Sequence, residues 1–210
     1  MQWTLATIYA VPMAPNVPGS AAITTCPATW PDVEKLFGIR GEPSRCWCRW
    51  FALPGRDWKT TPPVARKEQL EAKFDDGGLE PGVLAFRGDE AVGWCAVEPR
   101  ERYPRIEMSR VLKAAGKGAH DGTRVWSVSC FVVSPGHRRS GVAAALLAAA
   151  VGHAFAHGAE IVEGYPVDPS LRPKAGSADL YQGTVKLFTA AGFTTVSTAV
   201  PGRAVMRLLG

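Results

Sequence analysis

Arg138, Arg139, Ser140 and Gly141 stand between the two most apolar stretches of a chain of 210 residues. Val125 to Val133 is rich in β-branched and aromatic residues and stops at Ser134-Pro135-Gly136, so it reads as a buried strand ending in a turn. Val142 to Phe155 is dominated by alanine and apolar almost all round, as a helix pressed onto a sheet would be. A strand, a short basic turn and a helix start together make an anion site. The first backbone N–H groups of a helix have no partner within it, and its dipole favours negative charge there. Gly141 lets a phosphate approach the backbone, and two guanidinium groups add charge-assisted hydrogen bonds. Gly136 and Gly141 have the spacing of a nucleoside-triphosphate loop, but Val142-Ala143 stands where Lys-Ser/Thr is needed. That reading is rejected, and a pyrophosphate fits better.

Other residues offer chemistry less clearly. Glu98, Glu107 and Glu163 are candidate general bases, each with a plain surface carboxylate as the alternative. Cys46-Trp47-Cys48 supplies two thiolates where tetrahedral zinc wants four ligands, and no second paired motif completes the set. No metal is expected, and the cysteines read as small buried hydrophobes. His153 and His157 share a helix face but lack the intervening glutamate of a zinc protease. Trp47, Trp50 and Phe51 form either one wall of an acceptor pocket or part of the core.

The elements that must position these groups follow from patterning. Residues 1–20 read as an irregular lead-in and 21–210 as one domain. Ala21 to Thr25 is a first strand; Thr29, Pro31 and Asp32 start a helix that Gly38 ends. Pro63 to Phe74 is an amphipathic helix. Gly82 to Phe86 and Ala91 to Val97 form a hairpin, and Glu98 to Asp121 is a loop or short helix. After the long helix come a strand over Glu160 to Tyr165, a loop over Asp168 to Ser177, a helix over Ala178 to Ala191, and a closing hairpin of Thr194 to Val200 with Ala204 to Leu209.

A hydrophobic content of 46% with 20% charged residues is ordinary for a globular protein, and no apolar run reaches the roughly 20 residues that span a bilayer. A cytoplasmic protein without a membrane partner is expected. The net charge of +5 suits an anionic ligand. The arginines are scattered, which argues against nucleic acid.

Arg138-Arg139-Ser140-Gly141-Val142-Ala143, with its strand and helix, resembles the Arg/Gln-x-x-Gly-x-Gly/Ala motif of the GNAT superfamily of N-acetyltransferases. Thr184 to Phe193 is similar to that superfamily's A-x-x-L-Y-x-x-x-G-F helix end. The Cys-Trp-Cys patch and Glu163 to Asp168 look like a bacterial subgroup. The resemblance implies an α/β fold whose central mixed, mostly antiparallel sheet of six or seven strands is flanked by helices, with a splayed strand pair holding the ligand. It implies acetyl-CoA as donor, with the backbone of Phe131, Val132 and Val133 on the pantetheine and thioester. Arg138, Arg139, Ser140, Gly141, Val142 and Ala143 would take the pyrophosphate, and Phe188 would lie at the donor.

Two departures from the family pattern bear on catalysis. Ser127 stands where histone-type members carry a catalytic glutamate, and Phe188 where the usual acid is tyrosine. Ser127 could orient a water that relays a proton. Tyr181, seven residues before Phe188 and about two helical turns away, is the substitute acid or else a pocket wall. Glu98 is carried forward as base, and Asp168 as the group that binds the substrate ammonium. The expected activity is acyl transfer from acetyl-CoA to an amine of a small molecule or peptide, by a monomer or homodimer. The alternative is an acyl-CoA-binding or regulatory protein with little catalysis.

Overall fold

β4 (Val125–Val133) is the strand from which the sheet is built outward, because it is apolar on one face and carries small polar side chains on the other. A computed structural model describes residues 21–38, 41–75, 78–115, 122–172, 176 and 179–210. The expected lead-in over residues 1–20 lies outside them. The remaining strands are β1 (Ile23–Pro27), β2 (Gly82–Arg87), β3 (Glu90–Pro99), β5 (Ile161–Gly164), β6 (Thr194–Ser197) and β7 (Val205–Leu209). All seven join one sheet in the order β1-β2-β3-β4-β5-β7-β6, antiparallel except where β4 meets β5.

Eight α-helices lie among the described residues. Four precede β2: α1 (Trp30–Phe37), α2 (Glu42–Cys46), α3 (Gly55–Thr60) and α4 (Pro63–Asp75). The short α5 (Pro104–Glu107) and α6 (Arg110–Ala114) follow β3, α7 (Val142–Ala156) follows β4, and α8 (Val185–Ala190) follows β5. Trp126, Val128 and Phe131 of β4 pack with Leu146, Leu147 and Ala150 of α7 in the larger core. On the opposite face, Trp94, Ala96 and Cys130 pack with Val33, Phe37 and Trp47.

Alternation in β4 is interrupted once. The register slips between Ala96 and Val97, pairing Ala96 with Cys130 and Val97 with Val128, so Ser129 is an extra residue in β4. The bulge switches the phase. Ser127 and Cys130 therefore share one face while Phe131 turns to the α7 face.

β5 pairs with β4 only from Val125↔Ile161 to Val128↔Gly164, and β4 then runs on to Val133 without it. Phe188 is the wedge at this parting. Its ring is fully buried, lies edge-on to Phe131 at 6.3 Å, and its Cε1 stands 2.1 Å from where a Cβ on Gly164 would be. Only glycine at position 164 lets β5 bend past that ring.

The patterned elements appear in the expected order, with one correction that matters for the site. The helix expected over Ala178 to Ala191 is only Val185–Ala190, capped by the Thr184 side chain accepting from the Leu187 N–H. Gly183, at φ 76°, stands in the left-handed region just before that cap, in a turn that a helix begun at Ala178 would have to run through.

Two outcomes follow. Gly164→Ala should lower stability by about 1–3 kcal/mol in denaturant titration, because the added methyl must displace Phe188. His153 of α7 is buried against Trp126 and its Nε2 faces the Glu80 carbonyl at 3.2 Å; burial first, and His157 second, hold its pKa below the ordinary 6.5. The unfolded chain therefore takes up this proton at higher pH than the native one. Stability should fall as pH drops from about 7 towards 5, and less so in His153→Gln.

Candidate active site

The register that pairs Ser127 with Glu163 places their side chains side by side on the face opposite α7. Tyr165, two residues further on, points the same way by the strand's period of two. The result is a closed polar array. The Tyr165 hydroxyl donates to Glu163 Oε1 at 2.5 Å and lies 2.9 Å from Ser127 Oγ. Burial, then the Glu163 charge, pushes the Tyr165 phenol well above its usual pKa, so it keeps its proton and gives it to the carboxylate. Ser127 must then be the donor to Tyr165, which leaves the serine's lone pairs for another donor. Arg207 Nε reaches Glu163 Oε2 at 2.6 Å, and Arg100 Nη1 reaches Oε1 at 3.4 Å. Glu163 itself is fully buried.

Glu98 does not stand ready as a base. It is buried, with Lys73 Nζ at 2.5 Å and Arg102 Nη1 at 3.1 Å on the same oxygen. Close by, the Tyr103 hydroxyl and Ser129 Oγ are both buried, near one another but outside hydrogen-bond geometry.

Tyr181 sits in the turn before α8, not on the helix that carries Phe188, so the expected two-turn spacing does not apply. Even so, the side chain is half-buried, 6.0 Å from the Phe51 ring. Burial raises its pKa and outweighs the guanidinium of Arg203 beside it. Its backbone carbonyl accepts from the Phe131 N–H at 2.6 Å, at the stretch of β4 that β5 has left. Arg203 bonds the Gln182 side chain.

Of the aromatic patch, Trp47 belongs to the core. It is buried between Trp30 and Phe37, at ring distances of 5.9 and 5.6 Å, and is no pocket wall. Trp47 and Cys48 both adopt positive φ, 47° and 49°, turning the chain sharply so that Cys48 Sγ meets Cys130 Sγ at 3.2 Å. Trp50 remains half-buried, edge-on to Trp58 at 4.9 Å and covered by Arg105 at 3.9 Å. Asp168 is spent locally, its Oδ1 accepting from Ser170 N and Oγ at 2.9 and 2.6 Å. Burial pushes the Cys46 thiol up to about 11, and among the described residues no three metal-ligating side chains come together.

The basic turn between β4 and α7 is shaped as an anion cradle. Arg139 and Gly141 adopt φ of 58° and 88°, and the N–H groups of Arg139 to Ala143 reach no backbone carbonyl among the described residues. At Gly141 the nearest atom to a would-be Cβ is Ile23 Cδ1, 3.7 Å away, so the backbone is open to a ligand. Ser140 Oγ donates to the His137 carbonyl at 2.6 Å and pins the turn. Arg138 and Arg139 are exposed and form no ion pair with a described residue; Arg138 Nε reaches only the Val133 carbonyl, at 3.4 Å. This geometry fits a pyrophosphate.

Residues 45–175 match the model of the Acetyltransferase (GNAT) family. The chain belongs to this family. The polyamine N-acetyltransferase of Drosophila melanogaster, which forms N-acetylagmatine, superposes with a TM-score of 0.55 at 12% identity, covering 90% of this chain and 100% of that one. A putative acetyltransferase from Salmonella typhimurium with its cofactor acetyl-CoA gives 0.52 at 16%, covering 90% and 94%. The ribosomal-protein-alanine N-acetyltransferase of Brucella melitensis gives 0.52 at 17%, covering 89% and 99%. These likenesses show the GNAT fold. No curated protein matches in sequence. As a GNAT acetyltransferase the chain uses acetyl-CoA as donor, and the cradle has the charge and open backbone that donor's pyrophosphate needs. No helix among the described residues is long and apolar enough to cross a membrane.

Glu163 was among the candidate bases legible in the sequence; Tyr165, Arg203 and Ser129 were not. Glu-x-Tyr in a strand was the available signal for Tyr165. Arg138→Ala should weaken acetyl-CoA binding about tenfold in calorimetry, the scale of one charge-assisted hydrogen bond, with the fold unchanged.

Proposed function

We propose that this GNAT acetyltransferase moves the acetyl group directly to an amine of a small molecule or peptide, with Ser127, Tyr165 and Glu163 as its proton path. The hydrogen-bonded line from Ser127 through Tyr165 to Glu163, at 2.9 and 2.5 Å, is the observation that carries this reading. Acetyl-CoA supplies the acyl group as a thioester. Phe131, Val132 and Val133 offer the strand edge that would hold the pantetheine arm once the Tyr181 carbonyl releases the Phe131 amide. The turn from Arg138 to Ala143 would hold the pyrophosphate.

An attacking amine must be neutral and must shed a proton as its bond to carbon forms. Ser127 accepts that proton through a bound water while its own hydroxyl proton passes to Tyr165, whose phenolic proton passes to Glu163. Each oxygen in the line gains one proton and gives one up until the carboxylate keeps the last. Arg207 and Arg100 fix that carboxylate in place. Tyr181, its pKa raised by burial, would give a proton to the departing thiolate. Phe188, without a hydroxyl and fully buried, keeps the strands apart instead.

Free coenzyme A thiol, followed across a panel of amines, tests this. Release that depends on an amine supports transfer; donor binding without release favours an acyl-CoA-binding protein. Tyr165→Phe and Tyr181→Phe should each leave donor affinity nearly unchanged and lower turnover on the order of 10²-fold. Near wild-type turnover in either variant removes that tyrosine from the path.

A further inference from the structure

The charges around the cleft are unevenly matched. Glu98 is held by Lys73 and Arg102, and Glu163 by Arg207 and Arg100, while Arg100 also reaches Glu107 at 4.0 Å. The buried carboxylates on this side are engaged with cations, and the exposed Oδ1 of Asp168 is taken by Ser170. Arg203 and Arg105 are in the opposite position. Neither forms an ion pair with any described residue, and the sequence outside those residues holds just two acids, Asp76 and Asp121.

Both guanidinium groups bear on Tyr181. Arg203 stands beside its phenol and is steadied by the Gln182 side chain, itself buried. Arg105 stands over Trp50, near Tyr181, with its Nε on the Leu53 carbonyl at 3.1 Å and Nη2 on that of Pro54 at 3.4 Å, which leaves Nη1 for a ligand. The thiols of Cys46 and Cys130 also lie near Tyr181. Two half-buried arginines, one fixed by an amide and the other over an aromatic face, neither with a counter-ion among the described residues, are arranged to receive an anion. A polyamine would meet two cations there, while the buried Glu98 and Glu163 are already paired.

We infer that the acceptor is an amino carboxylate of amino-acid size, its carboxylate held by Arg203 and Arg105 and its amine directed towards the Ser127–Tyr165 line. This rests on the transfer reading above and narrows it, setting this chain apart from a relative whose product is N-acetylagmatine.

The test compares matched acceptors: an amino acid, the amine left by removing its carboxylate, and spermidine. With the wild-type protein and acetyl-CoA, kcat/KM from thiol release should favour the amino acid by roughly ten- to a hundredfold over its decarboxylated partner. Arg203→Gln should raise KM for the amino acid, leave kcat within about threefold, and erase the difference within the pair; Arg203→Lys should restore part of it. Equal use of both partners by the wild type, or a preference for spermidine, overturns the inference while leaving transfer intact. If no amine releases thiol, transfer itself fails, and the melting temperature with acetyl-CoA becomes the readout. A rise with the amino acid and not with its decarboxylated partner then still supports the carboxylate site, and equal shifts overturn it.

Discussion

Two neighbouring strands that stop pairing leave backbone hydrogen-bonding groups with nowhere to go, and this structure is arranged around that problem. β4 and β5 part after Val128↔Gly164, and a buried backbone amide without a partner costs free energy comparable to a lost hydrogen bond. The Phe131 amide is satisfied by the Tyr181 carbonyl, a single bond from a turn and no part of a ladder. An edge satisfied this way can exchange partners without undoing the sheet. The parting is enforced from beneath by Phe188, for which Gly164 leaves room, and the bulge at Ser129 turns Phe131 towards that same ring.

The second constraint is charge burial on the face opposite α7. A buried carboxylate is tolerated only when paired and hydrogen-bonded, and both Glu98 and Glu163 meet that condition. What distinguishes them is the third partner. Glu98 is met by cations alone, whereas Glu163 is linked through Tyr165 to Ser127, in the strand where the parting begins. The same matching of charge leaves Arg203 and Arg105 without an ion pair among the described residues.

How much of this was legible in the chain can be judged residue by residue. β4, the basic turn and α7 stood out because apolar runs and a glycine act locally; so did the hairpin of β2 and β3. The start of α8 was misplaced because Tyr181 to Gly183 is kept out of the helix by the left-handed turn at Gly183 and the Thr184 cap. Trp47 looked like a pocket residue because its burial depends on Trp30 and Phe37, distant in sequence, and on two consecutive positive φ values that no glycine announces. The Ser127–Tyr165–Glu163 line needed the register of a parallel pair, which a single sequence does not carry. The splayed strands were expected from resemblance, but not the residue that wedges them apart.

We propose that the acetyl donor seats on the edge of β4 freed by β5, with the Tyr181 carbonyl giving way. The ¹⁵N resonance of the Phe131 amide, followed as acetyl-CoA is added, addresses this most directly. The Phe131 and Gln182 amides should shift together with those of Ser140 to Ala143, at one donor concentration. Shifts confined to the Ser140–Ala143 turn, with the Phe131 amide unmoved at saturation, would contradict it.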